Sequence, residues 1–118
     1  MRSATVFAML ALLLVACKPT KAEPLDAEVS INPWPPQVRR SEIVIRVPAT
    51  LEVASIKVVG DMTHAGMIPV EAKAVEQTDG TWKVEDFDLN MRGDWILTIT
   101  AKSADGKKYV KEVRFTIR

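Results

Sequence analysis

His64 is the only histidine in the 118-residue chain, and it lies between two methionines in Gly60-Asp61-Met62-Thr63-His64-Ala65-Gly66-Met67. Two of the five methionines, Met1 and Met9, belong to an apolar N-terminal run; the other three are Met62, Met67 and Met91. Thioether sulfur is a soft donor and imidazole an intermediate one. That pair suits Cu(I), with Cu(II) open to His64 and a hard oxygen such as Asp61. Met62 and His64 are two apart and fall on one side of an extended chain, while Gly66 lets the chain turn and return Met67. Met91 would join them from a loop at Asn90 to Gly93. Zinc is a poorer match, because its sites want several imidazole, thiolate or carboxylate donors. The same residues also admit a plainer reading, in which the methionines fill gaps at the rim of a core and His64 faces solvent.

The N-terminus carries Arg2 and then an uncharged stretch of 13 residues, Ala4 to Ala16. A bilayer-spanning helix needs about 20, so this reads as the apolar region of a signal peptide. It ends in Leu14-Val15-Ala16-Cys17, which resembles the lipobox of bacterial lipoproteins. The implied processing is lipidation of Cys17 and cleavage after Ala16. Cys17 is the only cysteine, so lipidation would consume the one free thiol and no intramolecular disulfide can form. The expected organisation is a signal peptide over 1–16, a lipidated cysteine and flexible tether over 17–26, and one domain over 27–118. The expected address is the cell envelope, facing the periplasm or the exterior, with the membrane as a partner through the lipid. Lys18 stands where inner-membrane retention would favour aspartate, which points to the outer membrane if the cell is Gram-negative.

Removing 16 of the 118 residues leaves 102, enough for one domain. The same cut removes Arg2 and leaves 15 basic against 15 acidic residues. Such a balance gives no electrostatic footprint for nucleic acid and no polybasic segment beside the anchor. Lys18 to Asp26 holds two prolines, mixed charge and a single large apolar residue, Leu25, and so reads as tether.

Beyond the tether, β-branched and aromatic residues recur in short runs, and no helical apolar period persists. Strands are expected near Ala27 to Asn32, Ser41 to Val47, Ala54 to Gly60, Ile68 to Gln77, Thr81 to Leu89, Trp95 to Lys102 and Lys107 to Ile117. Alternation is clearest in Trp95, Leu97, Ile99, Ala101 and in Tyr109, Lys111, Val113, Phe115, Ile117. Asp79-Gly80 and Asp105-Gly106 mark two hairpins. About seven short strands at this spacing predict an all-β, immunoglobulin-like two-sheet sandwich. Asn32-Pro33-Trp34-Pro35-Pro36 lacks three backbone donors and belongs at an edge or corner, where it could blunt the sheet or present Trp34 to a partner.

From about Pro36 to Ile117 the chain resembles the YtkA-like family, whose shape is akin to FixH-type domains and, more distantly, to CopC-like copper sandwiches. The resemblance rests on Pro35-Pro36 and Val38 before Ser41-Glu42, on Met62, His64, Met67 and Pro69, and on Met91-Arg92-Gly93-Asp94-Trp95. In that family the last motif usually has proline where this chain has Arg92, which loosens the loop holding Met91. The resemblance implies an exported sandwich and links to copper handling or the assembly of copper oxidases.

Other constellations carry less. Trp82 and Trp95 have the neighbours of core residues. Glu85, Asp86 and Asp88 lack the loop of a calcium cage. Ser55, Asp61 and His64 come without a nucleophile elbow or phosphate loop, so no enzymatic activity is expected. The sequence reading is therefore a lipid-anchored copper carrier or assembly factor using Met62, His64, Met67 and Met91, which would pass copper to a receiving protein or an oxidase assembly factor. The alternative is a metal-free sandwich that supports an envelope protein complex.

Overall fold

Period-two alternation in this chain produces two packed sheets. The computed structural model describes residues 22–63, 66 and 68–118; the expected signal peptide, Cys17, His64 and Met67 lie outside them. The described strands are β1 (Glu23–Pro24), β2 (Glu28–Asn32), β3 (Arg39–Arg46), β4 (Val53–Met62), β5 (Val70–Lys73), β6 (Val75–Glu76), β7 (Trp82–Leu89), β8 (Gly93–Ser103) and β9 (Lys108–Ile117). One sheet has the order β1-β9-β8-β4-β5 and the other β2-β3-β7-β6. This is an immunoglobulin-like β-sandwich. Among the described residues no helix is long and apolar enough to cross a membrane.

The core forms where the inward faces meet. Ile56, Val58 and Met62 of β4 and Trp95, Leu97, Ile99 and Ala101 of β8 face Ile43 and Ile45 of β3 and Trp82, Val84, Phe87 and Leu89 of β7. Trp82 and Trp95 are both core residues, 5% and 1% exposed. In β7 the inward positions change from even to odd numbers, because Ser41 pairs with Phe87 but Ile43 with Val84. The extra residue is a bulge at Glu85-Asp86, and both side chains stay exposed.

Both Asp-Gly hairpins form, with the same geometry. Gly80 N–H donates to the Gln77 carbonyl and Gly106 N–H to that of Ser103, and the two glycines take φ of 86° and 88°. Each is a turn closed by a glycine in the left-handed region, and only the glycine needs the positive φ.

Two expectations need correction. The run Ile68 to Gln77 is not one strand: β5 pairs with β4 in the first sheet and β6 with β7 in the second. Ala74 N–H, donating to the Ile56 carbonyl at 2.9 Å, holds the crossing point. The packed domain also begins before Ala27. Glu23 and Pro24 pair in parallel with Tyr109 and Val110, Leu25 N–H donates to the Val110 carbonyl at 2.9 Å, and Leu25 is 4% exposed. The lone large apolar residue of the expected tether is thus a core residue, and burying it draws its neighbours onto the sheet edge. Among the described residues both sheets close on one shared core, which is what a domain needs to fold alone.

Register also fixes the two ends of the sandwich. β3 begins where β7 ends, with Arg39 opposite Leu89; β8 begins where β4 and β9 end, with Trp95 opposite Met62 and Gly93 opposite Ile117. The loops after β2, β4 and β7 and the residue Arg118 therefore share one end. The entry of β1 and both Asp-Gly hairpins share the other.

Candidate functional site

The described residues with candidate chemistry, Asp61, Met62 and Met91, fall at the end away from the chain entry. Met62 is the last residue of β4 and follows the inward parity of Ile56, Val58 and Gly60. Its side chain is 6% exposed and packs in the core. β4 ends at this residue. Met91 lies in the three-residue connection between β7 and β8 and is 46% exposed. His64 and Met67 lie outside the described residues.

Trp95 ties the two described methionines to one place. It is the cross-strand partner of Met62, and its indole Nε1–H donates to the Met91 carbonyl at 2.9 Å. That bond satisfies the only polar group of a buried indole and fixes the loop backbone without a proline. Asp61, considered as a hard ligand, accepts a bond from the Met62 N–H at 2.8 Å through Oδ1. Among the described residues no three His, Cys, Asp or Glu side chains gather as a metal-binding group.

A second feature of this end was only partly foreseen. The described large apolar residues that remain exposed are Trp34, Val38, Ile68, Val75 and Met91. All but Val75 sit here, contributed by three separate loops. Trp34 is 64% and Ile68 85% exposed, whereas Pro36, two residues after Trp34, is buried and roots the proline-rich loop. Arg39, Arg40, Arg92 and Arg118 occupy the same end, and the ion pairs among the described residues involve none of them. Sequence pattern marked the Trp-Pro segment; its sharing an end of the sandwich with Val38, Ile68 and Met91 depends on strand register, which pattern alone does not give.

The fold and this exposed end define an immunoglobulin-like sandwich with an apolar, arginine-bearing tip. A solved structure described as "Myokine structure" is similar in fold, with a TM-score of 0.57 at 17% identity over 84% of this chain and 100% of that one. No protein-family model and no curated protein matches the chain.

Proposed function

We propose that the protein is a lipid-anchored envelope module whose sandwich presents its tip to a partner protein. The observation that carries this reading is the collection of Trp34, Val38, Ile68 and Met91 at one end of an otherwise alternating fold. Tryptophan, methionine and arginine are enriched at protein interfaces, and a few such anchors dominate binding. The four arginines select a partner segment that combines acidic and apolar side chains. The test places a photo-crosslinking residue at 34 or 91 in cells and, as control, at 105 on the opposite end. A partner captured from 34 and 91 but not from 105, whose purified acidic segment binds with at least 2 kcal/mol less affinity after Trp34→Ala, supports the reading. Equal capture from both ends defeats it.

Copper carriage is the second reading, favoured by the convergence of Met62 and Met91 on Trp95, with His64 two residues beyond Met62. Met62 is part of the core, so the informative substitutions are His64→Ala, Met67→Leu and Met91→Leu. Anaerobic Cu(I) competition against a chelator, using residues 22–118, should show one-to-one binding that the triple variant loses. Equal retention by both proteins excludes this site and leaves the metal-free module.

A further inference from the structure

The outer face of the five-stranded sheet separates charge along its strands. In the two rows nearest the chain entry, Lys108 lies opposite Lys102, and Lys57 lies opposite Lys73. The two rows are adjacent, because β4 and β8 set Ser55 against Lys102 and Lys57 against Thr100. The next row carries Glu112 and Glu71, and Asp61 and Asp94 follow towards the tip, with Arg114 opposite Ile96 in the row of Asp61 and ion-paired with Glu112 at 3.2 Å. Of these four lysines only Lys57 has an acidic partner among the described residues, Glu71 Oε1 at 2.9 Å.

Like charges directly opposite each other destabilise a sheet, and here two such pairs lie side by side. A local conflict of this kind marks a functional surface more readily than a scaffold. The four lysines border one groove of about 520 Å³ that reaches in as far as Trp82. They are drawn from positions 57 to 108, so a chain with balanced charge still builds a cationic surface.

We infer that this lysine surface binds the phosphate groups of anionic phospholipids in the membrane that carries the protein. Across four strands the surface is about 14 Å wide, broader than a single phosphate and suited to several headgroups. It borders the chain entry, since Glu23 pairs with Tyr109 next to Lys108. Cys17 precedes Glu23 by six residues, at most about 20 Å of chain. The inference rests on the lipoprotein reading of Cys17 for its orientation: a lipid there would bring the lysine rows down to the headgroups and hold the carboxylate rows away from them.

The test uses residues 22–118, which carry no lipid, in flotation with vesicles of phosphatidylcholine alone and of equal parts phosphatidylcholine and phosphatidylglycerol. Binding is expected only to the anionic vesicles and should weaken with added salt. Each lysine near an anionic surface contributes about a five-fold gain in affinity, so Lys102→Gln with Lys108→Gln should weaken binding by about 25-fold. Lys83→Gln with Arg114→Gln, an equal charge change away from the lysine rows, should leave it unaltered. Lys102→Gln alone should raise the melting temperature by relieving the opposed pair. Equal binding to both vesicle types, or equal loss in the two double variants, overturns the inference. So does displacement by inorganic phosphate at millimolar concentration, which would assign a free anion, or tighter binding to polyglutamate, which would assign an acidic protein. Failure of the lipoprotein reading would register separately, as an N-terminus of the full chain without lipid mass.

Discussion

Gly60 has no side chain because the Phe87 ring occupies the space one would need. A Cβ built at Gly60 would stand 2.8 Å from two ring carbons of Phe87 and 3.2 Å from Leu97. Both neighbours are buried, so neither can swing out to solvent. Gly60→Ala should therefore cost about 1 to 3 kcal/mol in chemical denaturation, and Phe87→Leu in the same chain should recover part of it. The inward residues of β8 were legible from alternation alone. The role of Gly60 was not, because it depends on which residue of the opposite sheet lies across from it. Two exposed aspartates act at this scale through their turns. Asp79 is held below its ordinary carboxylate range chiefly by the Thr81 hydroxyl, which donates at 2.7 Å, and by the Thr81 N–H. Asp105 is lowered chiefly by the Ser103 hydroxyl and then by the Lys107 N–H. A carboxylate whose folded pKa lies below its unfolded one adds its stability above the unfolded value, near pH 4, and loses it as the pH falls through the folded value. Melting temperature should thus decline as the pH is taken below about 4. Asp79→Asn with Asp105→Asn should flatten that decline.

At the scale of elements, the alternation placed the long strands and misjudged the short ones. β5 and β6 read as a single run because Val70-Glu71-Ala72-Lys73 and Val75-Glu76 share one composition. What divides them is the exchange of pairing partner at Ala74, a long-range event with no local signature. β1 was missed for a related reason: two prolines and mixed charge look like tether, yet one leucine is enough to fasten the segment when β9 offers an open edge. Leu25→Ala should cost about 2 to 5 kcal/mol. A chain starting at Ala27 should be destabilised by at least as much as that variant, whereas one starting at Ala22 should unfold cooperatively at the full melting temperature. Tolerance of the shorter chain would show that β1 adds nothing to the core.

For the whole molecule, the fold class was legible because seven runs and two Asp-Gly turns leave few other solutions. The candidate site was legible only in part. Met62 looked like a ligand by residue type, yet the parity of β4 turns it into the core, and the lysine surface is assembled from strands far apart in sequence. The anchor remains a matter of Leu14-Val15-Ala16-Cys17. Buried acyl chains contribute about 0.8 kcal/mol per methylene, and stable attachment takes two such signals. Cys17→Ser should accordingly give unprocessed precursor or a soluble product in cell fractionation, while the wild-type chain stays with the membrane and carries lipid mass. A wild-type chain found soluble and unmodified would refute the anchor.

The short parallel pairing of β1 with β9 also decides how the molecule bears load. The chain enters at one end of the sandwich and the tip lies at the other, so a pull between them runs along the strands. β1 lies beside β9 and points the same way, so the pull slides one past the other instead of peeling them apart. The backbone bonds that join Glu23 to Leu25 with Tyr109 and Val110 must then yield together rather than one after another. Two residues of strand serve as a clasp in shear, so a pull applied between the chain entry and the tip meets the part of the fold best arranged to resist it.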